Sequence, residues 1–289
     1  MKVELSNNEK DFVLDLLKQE TRVDGRKLLQ FRDVEITFGE SLGHVEVSLG
    51  KTKVIVRVSA EVTKPYEDRP YEGIFLMTTD VSSMASPIFE NNRQSDEETL
   101  ISRVIEKAIR RSNALDVESL CIAAGKACWM VRADVHFINY DGGLIDATCI
   151  GAIAALMHYR RPDTSIDGDR VIVHPIEERA PVPLSILHVP LCVTFSFFDD
   201  SIMLVDATAQ EEALRTSEMV ITLNKNREVC QMLKPGGRSI DAVEVINCAN
   251  IAYQTVVELT DMIHRRLKED DKIRNRGNIV NLSAENKRE

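Results

Sequence analysis

The chain has 289 residues, of which 44% are hydrophobic and 28% are charged. This composition excludes the disordered and collagen-like classes and supplies enough apolar material for one or two folded domains. The net charge of −10 argues against a free-standing nucleic-acid binder, although a local basic patch can still work inside an acidic protein that assembles with others. The longest apolar runs fall short of the roughly 20 residues that a membrane-spanning helix needs, and the polar amino terminus does not resemble a secretory signal. We therefore expect an intracellular, soluble protein without membrane contact.

The cysteines are scattered through apolar stretches, with no C-x-x-C motif and no histidine at metal-ligand spacing. Reduced cysteine in such surroundings behaves as a small hydrophobic residue. We therefore predict mostly buried free thiols and no metal site. The positions concerned are Cys121, Cys128, Cys149, Cys192, Cys230 and Cys248.

The first elements are an entry helix and a group of strands. Residues 6–20 carry apolar side chains on one helical face behind a capping box formed by Ser6 and Glu9. From Arg32 the apolar period changes to two, in the segments DVEITFG, GHVEVSLGKTKVIVRVSAEV and GIFLMTTDVSSM. Alternation between turn residues predicts a β-meander.

A helix predicted over residues 95–113 carries a row of cations. Ser95 and Glu98 form its capping box. Four cations at i, i+4, i+7 and i+8 share one face, and they are Arg103, Lys107, Arg110 and Arg111. This face is either a solvated surface, partly neutralised by Glu106, or a track for the phosphates of a nucleic acid. Composition does not choose between the two interpretations.

The remaining pattern repeats the order of strands followed by a helix. Strands are predicted at 118–123 and 129–138, a helix at about 146–159, a loop at 161–168, strands at 187–198 and 201–206, a strand pair around the turn at 224–226 and a helix at 239–269. The repetition predicts an α+β fold of two similar layers rather than a parallel βαβ sheet. The corresponding domains are 30–164 and 185–270, followed by a polar tail at 271–289.

The stretch YDGGLIDA, from Tyr140 onward, runs from a glycine turn into a helix. Such turns bind anions through backbone N–H groups and a helix amino end. A hydroxyl and an arginine would strengthen the grip on phosphate, but the next two positions are Leu144 and Ile145, and Asp146 as N-cap would repel an anion. We predict a degenerate phosphate site at Gly142, Gly143, Leu144 and Ile145.

A second group of candidate residues is acidic. Asp199, Asp200 and Asp206 lie in FFDDSIMLVD and favour either a carboxylate pair for Mg²⁺ or proton transfer, or simply turn acids in a hairpin. No G-x-S-x-G, Walker loop or H-E-x-x-H motif accompanies them.

Five motifs taken together resemble a known family. They are RVDGR from Arg22, GKTKV from Gly50, RVIEKAIRRSNALD from Arg103, DGGLIDA from Asp141 and VDATAQEE from Val205. Over about residues 6–270, the chain is similar to ribonuclease PH-like subunits of the eukaryotic RNA exosome ring. Within that family it resembles the polymyositis/scleroderma autoantigen type, which is related to the inactive archaeal ring subunit.

The resemblance implies an RNase PH fold built of two ribosomal protein S5 domain 2-like layers. It further implies a hetero-hexameric ring with other RNase PH-like subunits, S1/KH cap proteins and a hydrolytic exonuclease subunit. Such a ring passes single-stranded RNA and supports 3′–5′ processing and degradation, including rRNA maturation and mRNA turnover, in the nucleus, nucleolus and cytoplasm. The resemblance implies no cofactor and no metal.

For the site residues, the resemblance implies a subunit without catalytic residues. Active members carry Ser or Thr and then Arg where this chain has Leu144 and Ile145, and losing that positioning removes up to ~7–11 kcal/mol. Asp200 and Asp206 are then vestigial carboxylates, while the cations from Arg103 onward line the RNA path. The alternatives are an active phosphate-dependent 3′–5′ exoribonuclease that uses Asp200 and Asp206, and a purely architectural subunit.

Overall fold

The structure, a computed structural model, describes residues 6–87, 89, 95–167, 170–175, 178–198 and 202–285. Helix α1 spans Asn7–Lys18 and has the predicted capping box, in which Ser6 and Glu9 each accept the other's backbone N–H. The buried face of α1 packs on Phe198 and Leu204 of the second half of the chain.

The first sheet contains six strands. They are β1 (Val34–Phe38), β2 (His44–Leu49), β3 (Thr52–Thr63), β4 (Ile74–Asp80), β5 (Cys121–Ala123) and β6 (Ala127–Asn139), in the order β1-β2-β3-β6-β4 with β5 beside β6. The antiparallel meander is confirmed for β1 to β3. It is wrong for β4, which pairs in parallel with β6. Alternation along β4 reports which face is buried and carries no information about the neighbouring strand.

Two helices and two short ladders complete the first half. Helix α2 spans Asp96–Arg110, a 3₁₀ turn spans Glu118–Leu120, and α3 spans Leu144–His158. The predicted loop at 161–168 instead contributes strands: β7 (Arg160–Arg161) pairs with β10 (Val182–Pro183), and β8 (Thr164–Asp167) pairs with β9 (Arg170–Val173). Strands of two to four residues are too short for an alternating pattern to indicate them.

The second half is an antiparallel sheet with helices. Its elements are β11 (Leu191–Phe198), β12 (Ile202–Val205), α4 (Ala209–Leu214), β13 (Ser217–Leu223), β14 (Val229–Leu233) and α5 (Ala242–Glu285), with strand order β12-β11-β13-β14. Helix α3 lies between the two sheets and contacts β2, β3 and β11. A Cβ on Gly151 of α3 would come within 2.8 Å of Val56 Cγ2, so glycine permits this close approach to the first sheet. Two layers of sheet around shared helices agree with the predicted α+β architecture.

Helix α5 extends further than the sequence pattern indicated. The predicted polar tail begins at residue 271, but the helix continues to Glu285. Of this tail, only 286–289 lie outside the described residues. Arg274 explains part of the difference, because it pairs with Asp270 one turn earlier and donates to the carbonyl oxygens of Gly39 and Glu40. Within the described ranges, no helix combines the length and apolar character needed to cross a membrane.

Candidate nucleic-acid interface

The glycine turn before α3 is packed tightly against the second half of the chain. Gly142 and Gly143 both adopt positive φ, 77° and 68°, which glycine tolerates at no steric cost. A Cβ on Gly142 would lie 2.5 Å from the carbonyl oxygen of Ala207, and one on Gly143 would lie 2.6 Å from Arg32 Nη2. The turn therefore has room for glycine only.

The N–H group at the start of α3 already has an anionic partner. Gly143 N donates to Glu212 Oε1 at 2.9 Å, and the Tyr140 hydroxyl donates to Glu212 Oε2 at 2.9 Å. Burial raises the pKa of Glu212 and, with the nearby carboxylate, the pKa of Tyr140. A carboxylate from α4 thus occupies a donor that an external phosphate would need.

The structure brings the four residues of the predicted degenerate phosphate site together. Gly142 and Gly143 form the turn, and Gly143 is the N-cap of α3. Leu144 is buried in the core and Ile145 packs against it. Neither side chain can donate a hydrogen bond to an anion.

Asp146 does not act as the helix N-cap, which corrects our expectation. Helix α3 begins at Leu144, so Asp146 lies inside the first turn, fully buried. Its carboxyl group accepts from the Thr194 backbone N–H at 3.0 Å and the Thr194 hydroxyl at 2.8 Å. Burial, reinforced by the charge of Asp206, raises the pKa of Asp146 to about 8. The N-cap prediction was wrong because Gly143, which has a left-handed backbone conformation, ends the turn. The helix therefore begins at Leu144 rather than after Asp146.

Asp206 is a structural anchor in this fold. It is fully buried and has a positive φ of 52° just after β12. Arg32 donates to its carboxylate from Nε at 2.8 Å, from the backbone N at 2.9 Å and from Nη2 at 2.6 Å, and Arg26 Nη1 adds a contact at 3.1 Å. Burial alone would lower the pKa of Arg32, but the hydrogen bonds and charge of Asp206 raise it overall.

Arg32 also connects Asp206 to the glycine turn. Its Nη2 donates to the carbonyl oxygen of Gly142 at 3.1 Å, and its Nη1 donates to that of Asp141 at 2.8 Å. We call this contact between the two halves the seam, and it comprises Arg26, Arg32, Gly143, Asp206 and Glu212. Asp200, the other predicted vestigial carboxylate, lies outside the described residues.

A third arginine, Arg22, strengthens the same region, and sequence reasoning did not predict its contacts. Arg22 is fully buried, pairs with Glu211 and donates to the carbonyl oxygens of Val205 and Asp206 at 3.0 and 2.9 Å. The motifs RVDGR and VDATAQEE therefore meet in space. Their opposite charges were the only sequence signal of this contact.

The four predicted cations lie on the solvent side of α2. Ser95 caps the helix, and the opposite face is buried through a row of apolar side chains that includes Ile101 and Ile105. Arg103, Lys107 and Arg111 are exposed. Within the described part of the chain, these three side chains form no ion pair or hydrogen bond. Arg110 lies half-buried with Glu106 Oε1 at 3.8 Å from its Nη1.

These cations surround one depression of about 540 Å³, together with an arginine that the sequence did not indicate. Arg69, from the loop between β3 and β4, lines the depression and lies 3.2 Å from Glu72. Only the tertiary fold brings this loop to α2. We call the five residues the cation surface, and they are Arg69, Arg103, Lys107, Arg110 and Arg111.

The cation surface and the degenerate phosphate site lie at different ends of α2. Glu97, in the first turn of the helix, is near enough to Tyr140 beside the glycine turn for its charge to contribute to the raised pKa of that hydroxyl. Arg103 follows Glu97 by six residues and Arg111 by fourteen, which corresponds to about 9 Å and about 21 Å along the helix axis. In the described residues, no group of three or more His, Cys, Asp or Glu side chains is arranged to hold a metal ion.

Comparisons with known proteins follow the same division into two halves. The model of the 3′ exoribonuclease family, domain 1, matches residues 30–162, and that of domain 2 matches residues 188–255. The exosome complex component rrp45 of Schizosaccharomyces pombe is 54% identical over 287 residues, which cover 99% of this chain and 98% of that protein. The exosome complex component RRP45 of Saccharomyces cerevisiae is 50% identical over 301 residues, with the same two coverages.

A solved structure supports the same assignment. A chain of the Archaeoglobus fulgidus exosome with RNA bound to the active site is 29% identical, with a TM-score of 0.78, and the match covers 89% of this chain and 98% of that chain. These matches confirm the RNase PH fold and the resemblance drawn from the motifs. The chain belongs to the 3′ exoribonuclease, or RNase PH, family, in the group of the exosome complex component RRP45 proteins.

Proposed function

We propose that this chain is a non-catalytic subunit of an exosome ring and binds single-stranded RNA without sequence specificity. The observation that carries the proposal is the cation surface, where five cationic side chains surround one depression and only Arg69 and Arg110 have an acidic neighbour within 4 Å among the described residues. Exposed, unpaired cations release counterions when they contact phosphates. Such contacts position a nucleic acid but do not read its bases.

The seam supports the non-catalytic part of the proposal. Phosphorolysis needs a phosphate ion held as nucleophile, and accurate positioning of reactants is worth up to about 7–11 kcal/mol. The side chains of Leu144 and Ile145 offer no donor, the N–H of Gly143 is bound to Glu212, and Asp206 is held by two arginines. No observation favours the alternative of an active phosphate-dependent exoribonuclease.

The relatives named as exosome complex components support a role inside an assembly. The proposed partners are other RNase PH-like subunits in a hetero-hexameric ring, S1/KH cap proteins and a hydrolytic exonuclease subunit. An acidic chain that gathers five cations around one depression suits a ring whose basic surface faces inward. The proposal extends to 3′–5′ RNA processing and degradation in the nucleus, nucleolus and cytoplasm.

The decisive experiment removes two cations from the reconstituted ring. Binding of a fluorescently labelled single-stranded RNA is measured by anisotropy over a salt series for the ring with the unmodified chain and with Arg103→Gln/Lys107→Gln. Each lost phosphate contact lowers the slope of log K against log salt by about 0.7 on a single strand. We therefore expect weaker binding and a slope reduced by about 1.4.

A charge-matched variant separates a local effect from a general one. Lys51→Gln/Lys268→Gln removes the same charge from exposed positions outside the cation surface and should leave the slope unchanged. Equal slopes for both variants and the unmodified ring would contradict the RNA-binding role. Release of nucleoside diphosphates from RNA in the presence of phosphate, lost in Asp206→Asn while the ring still assembles, would establish the enzyme instead.

A further inference from the structure

Two cysteines face each other across the hairpin beneath the Arg69 loop. Cys121 of β5 and Cys128 of β6 are register partners in an antiparallel pair. Trp129, the neighbour of Cys128 in β6, packs into the core. Because side chains alternate between faces along a strand, Cys128 points away from that core, and its register partner Cys121 lies on the same face of the sheet. Cys128 is fully buried there, whereas Cys121 is half-buried.

We propose that Cys121 and Cys128 form a redox-sensitive dithiol that closes to a disulfide and thereby weakens the contribution of Arg69 to the cation surface. The second half of this inference rests on the proposed RNA-binding function, whereas the first half does not. Both cysteines are free thiols in the structure.

The backbone geometry of the hairpin suits a disulfide. Directly opposed residues of an antiparallel pair have Cα atoms about 4.5–5.5 Å apart, and disulfides span Cα distances of about 4.4–6.8 Å. The register shifts between Cys121 and Ala123. An irregularity of this kind gives the strand local freedom to bring the two sulfur atoms together.

A second pair of thiols provides the contrast. Cys149 of α3 and Cys192 of β11 are both fully buried, and their sulfur atoms contact the Pro190 carbonyl oxygen at 3.5 Å and the Thr222 hydroxyl at 3.3 Å, respectively. An oxidant dissolved in water cannot reach them without unfolding. Cys121, in contrast, is only half-buried, so a small oxidant can reach its thiol, and the buried Cys128 lies opposite it in the hairpin.

The hairpin touches the loop that carries Arg69. Cys121 Sγ lies 3.9 Å from the carbonyl oxygen of Pro70, and Gly125 N donates to the same oxygen at 2.9 Å. Pro70 follows Arg69 directly in the chain. Movement of Cys121 Sγ toward Cys128 removes its contact with the Pro70 carbonyl oxygen. The loop that carries Arg69 then loses one of its contacts with the hairpin.

The chemistry balances with a low-molecular-weight disulfide, such as glutathione disulfide, as oxidant. The Cys121 thiolate attacks it, forms a mixed disulfide and expels one glutathione thiolate. The Cys128 thiolate then attacks the Cys121 sulfur and expels the second. Two protein thiols are oxidised, one glutathione disulfide is reduced, and the two protons pass to the released thiolates. Burial raises the pKa of Cys128, so the closing step should accelerate as pH rises.

Mass spectrometry tests the disulfide without reference to RNA. The full chain in a Cys230→Ser background is treated with glutathione disulfide, alkylated and digested. We expect linked peptides that contain Cys121 and Cys128, lighter by two hydrogens than the reduced pair, while Cys149 and Cys192 stay reduced. A Cys128→Ser variant should instead retain glutathione on Cys121. Stable glutathione on Cys121 when Cys128 is present, or equal oxidation of the buried pair, would overturn the inference.

RNA binding then tests the regulatory half. The ring is reconstituted with the reduced or the oxidised chain, and the oxidised form should show a salt slope smaller by about 0.7, the loss of one phosphate contact. Arg69→Gln should show the smaller slope in both redox states. A disulfide that leaves the slope unchanged would overturn the regulatory half. Failure of the proposed function would differ, because the reduced ring would then not respond to Arg103→Gln/Lys107→Gln.

Discussion

The seam and the cation surface use the same residue types in opposite ways. At the seam, Arg32 and Asp206 are buried and hydrogen-bonded to each other. At the cation surface, Arg103, Lys107 and Arg111 are exposed and, among the described residues, unpaired. A buried charge that loses its partner is costly, whereas an exposed charge without a partner costs little. The seam therefore serves the fold, and the cation surface remains available to an external anion.

The comparison also shows why the glycine turn belongs to the scaffold. The glycine turn and the amino end of α3 are present, but Glu212 now satisfies the N–H of Gly143. Apolar side chains follow at Leu144 and Ile145. The turn therefore contributes to the packing of the two halves, and no donor side chain follows it at these two positions.

The largest expected effect comes from breaking the seam. Asp206→Ala leaves the buried guanidinium of Arg32 without its carboxylate and removes a contact of Arg26. Removing one partner of a buried ion pair costs about 3–5 kcal/mol, so the free energy of unfolding in urea should fall by that amount. Asp15→Ala, at an exposed pair, should change it by less than about 0.5 kcal/mol. Equal stability of the two variants would show that Asp206 is not a structural anchor.

A pH titration should reveal the buried carboxyl group beside the seam. The folded pKa of Asp146, about 8, lies above its ordinary value of 3.8, so between these values the unfolded chain binds fewer protons than the folded chain. The stabilising contribution of Asp146 is therefore complete below about pH 4 and is lost as the pH rises through about 8. Asp146→Asn cannot ionise and should not show this loss. Between pH 6 and pH 8, the free energy of unfolding of Asp146→Asn should therefore rise by about 1–3 kcal/mol relative to that of the unmodified chain.

The unmodified chain and the Asp146→Asn variant are unfolded in urea at each pH, and their free energies of unfolding are compared. A constant difference between Asp146→Asn and the unmodified chain across this range would mean that Asp146 is ionised in the folded state. The two hydrogen bonds from Thr194 would then outweigh burial.

A smaller loss is expected at Glu212. Glu212→Ala removes the acceptor of both Gly143 N and the Tyr140 hydroxyl, and leaving such donors unsatisfied costs about 1–3 kcal/mol. Glu218→Ala is the matched control, because Glu218 pairs with Arg215 as Glu212 does but does not contact the turn. Its cost should be about 0–1 kcal/mol. A larger loss for Glu218→Ala than for Glu212→Ala would show that Glu212 stabilises the fold through its pairing with Arg215 rather than through the turn.

Local patterns predicted the elements of the fold that depend on neighbours in the chain. The capping boxes at Ser6 and Ser95 and the cation row on α2 follow from spacings of three and four residues, and the structure contains them. The partner of β4 could not be predicted in the same way. The extension of α5 was also missed, because its anchor at Arg274 binds carbonyl oxygens of the β1–β2 turn.

The candidate site shows the same difference between local features, which the sequence predicts, and contacts between distant residues, which it does not. The lack of donor side chains at Leu144 and Ile145 is visible in seven letters of sequence. The bond between Gly143 and Glu212 and the position of Arg69 beside α2 join residues far apart in the chain. No periodicity reports such contacts, because they depend on how the two halves pack.

The smallest expected effect is a gain in stability at the cation surface. Lys107 has like charges at i−4, i+3 and i+4, which are Arg103, Arg110 and Arg111, and no acid at these spacings. Lys18 also lies in the last turn of its helix but pairs with Asp15, so both lysines have the same favourable interaction with the helix dipole. Each like-charged pair costs about 0.2–0.5 kcal/mol and each opposite pair contributes as much.

Relative to the unmodified chain, Lys107→Gln should therefore be more stable than Lys18→Gln by about 0.8–2 kcal/mol at low salt, and the difference should shrink as salt screens the charges. Urea unfolding at two salt concentrations measures the difference in stability and its dependence on salt. The same Lys107→Gln variant should lower the RNA salt slope by about 0.7, while Lys18→Gln should leave it unchanged. A cation whose removal strengthens the fold and weakens RNA binding is retained for its ligand. A cation whose removal weakens the fold would belong, like Arg32, to the scaffold.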